Sequence, residues 1–162
     1  MAKKVFFSFH FDRDAWRVGQ VRNCQVVTSN YDKPQFLDAV DWEKIRKQGD
    51  PAIKNWIDSQ LVGTSVTVVL IGSQTSERKW VIYEIEQSLK RGNTLLGIYI
   101  HNMKNSDGET DYQGQNPFDF VASPKHLFYK LSYHVPTYNW VNGDGRTNIG
   151  AWIENAIRDK NY

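Results

Sequence analysis

Short continuous apolar runs take turns with helical stripes along this chain, and the alternation is regular enough to predict a topology. Residues 4–11, KVFFSFHF, are apolar and aromatic and predict a buried first strand. Asp14 follows as a candidate N-cap for a helix through AWRVGQVRN, where Trp16, Val18 and Val21 form an imperfect stripe. Residues 25–28 predict a short second strand, and 37–46 a turn or two of helix around Val40, Trp42 and Ile45. At Asp50-Pro51 a capping residue precedes proline, after which Ile53, Trp56, Ile57 and Leu61 recur at helical spacing up to Gly63. Residues 66–71 are apolar apart from Thr67, as suits a central strand covered on both faces. A helix over 76–91 closes at Gly92, and LLGIYI at 95–100 predicts another buried strand. The polar, turn-rich stretch 102–125 is too long for an ordinary connector and reads as a functional or capping loop. Residues 127–135 alternate with period two and predict a strand ended by Pro136. The last helix is marked by Ile149, Trp152, Ile153, Ala156 and Ile157.

Strands separated by helices predict an α/β three-layer sandwich, one domain over 1–162, on a mainly parallel sheet of about five strands. In such folds ligands sit beyond the carboxyl ends of the strands, at a topological switch point. With the first strand beside 66–71, the segments 9–14 and 73–80 face one crevice. The helix that follows carries Val81, Ile82, Ile85 and Leu89 as a core stripe, while Trp80, Tyr83, Glu84 and Gln87 gather on another side. Glu86 has Lys90 four residues on, whereas Glu84 has only Ser88 at that spacing. Two readings of Glu84 stay open on this evidence, a solvated carboxylate and a working one. Trp80 and Tyr83 likewise read either as part of a site or as a protein contact face.

Composition narrows the class. A net charge of +2 with nearly equal Lys+Arg (20) and Asp+Glu (18) does not describe a dedicated nucleic-acid binder. The single Cys24 excludes an intrachain disulfide and fits a reducing compartment. The N-terminus lacks the apolar length of a signal peptide, and no run reaches membrane-spanning length. A soluble, cytoplasmic protein with no nucleic-acid or membrane partner is expected. Six Trp exceed what a core of this size needs.

Several chemistries lack their residues. No GxxxxGK[ST] or dinucleotide fingerprint is present, and Ser73, Thr75 and Ser76 after the central strand read first as helix caps. A phosphorelay receiver would use Asp12 and Asp14, but the central strand ends Leu70-Ile71-Gly72 without an acceptor carboxylate. His10, His101, His126 and His134 show no paired ligand spacing, so no metal site is expected. Cys24 reads as a small buried residue.

The residues 80–85, WVIYEI, resemble the W-C-x-x-E-[LI] motif of Toll/interleukin-1 receptor (TIR) domains, with valine in place of cysteine. The ordered set KVFFSFHF, the DxWRVxQVRN of 14–23, VTVVLIG with TxxRKW, LLGIYIHN and GxNPF is similar to the TIR-like, NAD-consuming component (ThsB type) of bacterial Thoeris anti-phage defence, over nearly the whole chain. That resemblance implies a flavodoxin-like fold and NAD+ as substrate, with no separate cofactor. It implies Glu84 as the essential catalytic residue, Trp80 as a stacking surface, and Ser8, Phe9 and His10 on the nicotinamide side, with Asn23 in the family's VRN element. It further implies a cyclic ADP-ribose isomer as product, a downstream effector reached through that nucleotide, and self-association. A simple NAD+ hydrolase and a non-catalytic TIR-type interaction module are the alternatives. Nicotinamide leaves its ribose as a neutral molecule through an oxocarbenium-like transition state, so one well-placed carboxylate is chemically sufficient.

Overall fold

A computed structural model describes residues 2–35, 37–126 and 128–162. Five parallel strands form one sheet in the order β2-β1-β3-β4-β5: β1 (Lys3–Ser8), β2 (Tyr31–Asp32), β3 (Val66–Ile71), β4 (Thr94–Tyr99) and β5 (Thr137–Asn139). This is the parallel α/β arrangement expected from the apolar pattern, in the flavodoxin-like strand order that the TIR resemblance implied. Every residue of β3 is buried, as its run of Val, Thr, Leu and Ile requires of a central parallel strand.

The layers follow from the alternation along β1. Val5 and Phe7 point into one core with α1 (Phe11–Arg22), α2 (Gln25–Asn30) and α6 (Gly145–Arg158). Phe6 points to the other face, where it meets Ile53, Ile57 and Leu61 of α4 (Asp50–Leu61). On that same face α5 (Lys79–Arg91) packs Val81 and Ile85 against Val69, Ile71 and Leu95. Helix α3 (Ala39–Lys47) rests on α4 through Trp42 and Ile45 and buries no residue completely. Gly92 closes α5 in the left-handed conformation at φ 78°, where a glycine carries no Cβ penalty.

Several boundaries differ from the sequence expectation. Residues 25–28 are helical, within α2: Thr28 and Asn30 turn their side chains back to the carbonyls of Cys24, Gln25 and Val26, and the strand comes later, at Tyr31–Asp32. The first helix starts at Phe11 with His10 as N-cap, and Asp14 is a buried residue inside it. Within 128–135 the regular element is a 3-10 turn, Leu131–Tyr133; Leu131 and, just after the turn, Val135 are buried four residues apart while Tyr129 and Tyr133 are exposed. Leu127 lies outside the described residues, and the strand expected there is β5, after Pro136 rather than before it. Helix α5 begins at Lys79, three residues later than expected, because a separate 3-10 turn, Thr75–Glu77, precedes it.

The 102–116 stretch is tied across the sheet by charged groups from α1. The buried Arg17 donates to the carbonyl oxygens of Met103 and Glu109 and sits 3.4 Å from the Asp14 carboxylate. Arg13 bridges Ser73 and Asp111. The carboxylate of Asp14 packs directly against Gly72, leaving no room there for a Cβ.

Candidate active site

β1 and β3 are neighbours, and the chain leaves them in opposite directions: β1 continues toward β2 at one edge, β3 toward β4 on the other side. The loops after the two strands therefore part and open a crevice. A second feature widens it. β2 pairs only Tyr31 and Asp32 with Lys3 and Lys4, so the later part of β1 has no strand beside it on that edge. A cavity lined in large part by aromatic side chains occupies this region. Phe6, Phe7, Phe9 and His10 line it from β1 and its loop, Pro34, Gln35 and Leu37 from beyond β2, and Trp80, Val81 and Glu84 from α5. Three of the six Trp face it, namely Trp42, Trp56 and Trp80.

Glu84 is 8% exposed, and its Oε2 has no hydrogen-bond partner. It sits beside the core stripe of α5, one residue from Ile85 and three from Val81, so the helix carries its carboxylate inward rather than to solvent. Burial pushes the Glu84 carboxyl up to about 8, and the nearby Ser8 hydroxyl pulls only weakly the other way. Ser8 ends β1 opposite Val69, on the Phe6 face, and is wholly buried. Although close enough to influence the acid, Ser8 Oγ makes no hydrogen bond of good geometry, so both groups keep unused capacity. A buried, unpaired acid in a cleft is the signature of a functional site.

The remaining sequence candidates divide. Trp80 lies one turn before Glu84, edge-on to Tyr83 with ring centroids 5.7 Å apart, and Lys79 Nζ stands 4.9 Å above its ring. Tyr83 itself turns away to α4, donating to Asp58 Oδ1 at 2.9 Å, so the aromatic side of α5 splits between cavity and packing. His10 is buried at the start of α1, and desolvation, with help from the Arg78 charge, pushes its pKa down. Phe9 stacks on Phe11 at 6.0 Å. Asn23 stands apart: it is the exposed C-cap of α1 and does not line the cavity. Its neighbour Arg22 does, with its guanidinium 5.7 Å from the Phe7 ring centre and one nitrogen 2.7 Å from Pro34 O. Burial draws Arg22 down to about 10.

The hydroxyls after β3 do not cap α5. Thr75 Oγ1 accepts from Gly72 N at 2.8 Å, and Ser73 donates to Asp111 at 2.8 Å, so both brace the loop. Trp42, Trp56, Phe11, Arg22 and Arg78 were not singled out by the sequence as site residues. The surplus of Trp pointed toward the two tryptophans, while Phe11, Arg22 and Arg78 stood inside the quoted KVFFSFHF, DxWRVxQVRN and TxxRKW motifs without being assigned a role. Among the described residues no cluster of three or more His, Cys, Asp or Glu is arranged to hold a metal, and no helix is long and apolar enough to cross a membrane.

Comparison with known proteins adds to this geometry. Residues 6–105 match the family model of the Thoeris protein ThsB, TIR-like domain. The chain is 36% identical to a Bacillus cereus (strain MSX-D12) protein named "Putative cyclic ADP-D-ribose synthase ThsB1", over 94% of this chain and 100% of that relative.

Proposed function

This chain belongs to the Thoeris ThsB family of TIR-like proteins, and from that premise we propose that it cleaves the nicotinamide–ribose bond of NAD+ and closes the remainder into a cyclic ADP-ribose isomer. The observation that carries this reading is the unpartnered carboxylate of Glu84, buried in the cavity between the β1 and β3 loops. In the reaction the bonding pair leaves with nicotinamide, and positive charge spreads over the ribose carbon and ring oxygen. Glu84 offsets that charge and orients the ribose hydroxyls, at short range and in a water-poor setting where such an interaction is strong. Ser8 stands beside the acid with its hydroxyl free to bond the substrate or the carboxylate. Trp80 offers a face for a ring, with Phe9 and His10 closing the nicotinamide side. The product acts as a diffusible signal to an effector in anti-phage defence, and the enzyme works in the cytoplasm, with self-association as a route to its control.

The test is to incubate the purified protein with NAD+ and separate nicotinamide and the nucleotide products by chromatography. Nicotinamide with a cyclic nucleotide is the expected result. ADP-ribose alone would make the protein a hydrolase, and no nicotinamide under oligomer-favouring conditions would point to an interaction module.

A pH dependence follows from the environment of Glu84. The free protein holds this acid largely protonated until about pH 8, and only the ionised form can offset the ribose charge. So kcat/KM is expected to climb roughly tenfold per pH unit below that value and to level off above it. The pyridinium charge of bound NAD+ favours the carboxylate, so the inflection in kcat should fall at lower pH. A pH–rate series from 6 to 9 checks both, and a flat kcat/KM profile would remove Glu84 from this role.

A further inference from the structure

We infer that Trp42, with Phe11 and Trp56 on either side of it, is the platform that holds the adenine end of the dinucleotide, and that it thereby decides between cyclisation and hydrolysis. This deepens the NAD+ reading above and rests on it. The three rings form a connected ladder: Phe11 to Trp42 at 5.6 Å and 37°, Trp42 to Trp56 at 5.8 Å and 60°. All three line the same cavity as Glu84, and Trp42 and Trp56 are only partly buried. Trp42 also has an indole Nε1 buried without a hydrogen-bond partner among the described residues, a cost that its packing supplies no hydrogen bond to offset. Helix α3, which carries it, buries none of its residues fully.

The chemistry assigns the two ends. The bond that breaks lies at Glu84, so nicotinamide and its ribose occupy the α5 side, against Trp80 and Val81. The ladder on α1, α3 and α4 is then the aromatic surface left for adenine, and bases of any kind stack on such rings. With both ends held in one cavity, the dinucleotide is folded so that the adenosine part faces the reacting carbon. Nicotinamide departs with the electron pair of its bond, and an adenosine hydroxyl or ring nitrogen supplies the pair for the new one. One proton is released, through the Glu84 carboxylate to solvent. Restricting that nucleophile gives it a high effective concentration against water. Without the platform the cation is open to water, and ADP-ribose results.

The experiment compares wild type with Trp42→Ala and Trp42→Phe in two ways. In turnover, the ratio of cyclic product to ADP-ribose from NAD+ is expected to fall about tenfold in Trp42→Ala, the scale of one lost base-stacking contact, and to recover in Trp42→Phe. In titrations that need no turnover, Trp42→Ala should raise the Kd for ADP-ribose about tenfold and change that for nicotinamide mononucleotide less than twofold. An unchanged product ratio and an unchanged ADP-ribose Kd would overturn the assignment, as would equal weakening of both ligands. A wild type that releases no nicotinamide yet loses ADP-ribose affinity on Trp42→Ala would refute the enzyme reading and keep the adenine platform.

Discussion

Replacing Glu84 by glutamine is expected to reduce nicotinamide release from NAD+ by about 1,000-fold while making the protein more stable at neutral and alkaline pH. The first effect is the loss of a charge placed against a developing cation, for which removal of one electrostatic group costs about 100–1,000-fold in comparable sites. The second comes from the burial of that same charge. In the unfolded chain the acid titrates at its ordinary 4.5, and in the folded protein at about 8. Between those values the folded protein binds the extra proton, so stability falls as pH rises through the window. Glutamine has nearly the same shape and no charge to desolvate. At about 1.4 kcal/mol per pH unit, the variant gains on the order of a few kcal/mol at pH 8. Its Tm should then lie about 5–10 °C above wild type at pH 8, with the two converging near pH 4.5. Thermal melts across pH and a nicotinamide assay measure both. Equal turnover by the variant would remove Glu84 from the mechanism, and a lower Tm at pH 8 would contradict its buried charge.

The second large effect is expected at Arg17→Ala, a residue that does not line the cavity. Arg17 is 3% exposed, faces Asp14 at 3.4 Å, and holds the carbonyls of Met103 and Glu109. Removing it leaves a buried carboxylate without its cation and two carbonyls without donors, which costs about 3–5 kcal/mol. For a chain of this length Tm should fall by about 10 °C. The deficit depends on pH in a definite direction. Burial already pushes the Asp14 carboxyl up to about 6 against the pull of Arg17. Without Arg17 it rises further, so the variant loses most at pH 8 and least near pH 4, where Asp14 is protonated in both forms. Adding Asp14→Asn to Arg17→Ala should recover part of the loss at pH 8. Hydrogen exchange should also quicken at Asp111 N, which bonds His101 O within the tethered stretch. A Tm loss independent of pH would mean that the buried charge is not what the arginine offsets.

Much of this fold was legible because burial writes itself into local pattern. The run of β3, apolar but for Thr67, the stripe of α6 and the glycine after α5 each have one physical explanation, and each appears as expected. Local pattern misled where two geometries share a spacing. Residues 129–135 alternate in sequence, yet a 3-10 turn buries Leu131 and Val135 just as well, and Val135 N reaches Leu131 O at 3.2 Å. Around 25–28 the β-branched run favoured a strand, but Val27 packs into the core from a helix instead.

The chain by itself determined the α/β class, the order of its main strands and helices, and the feature on α5 that periodicity could not explain, a carboxylate among aromatics. These are encoded within a few turns of helix or one strand, where neighbours in sequence are neighbours in space. The tertiary structure decided what depends on distant segments meeting. It parted Trp80 and Glu84 from Tyr83, left Asn23 outside the cavity, and brought Arg22 and the Phe11, Trp42 and Trp56 rings to its wall. It also set how deeply Glu84 is buried, and with that its pKa, because desolvation is the work of β1 and the surrounding loops rather than of the helix that carries the residue.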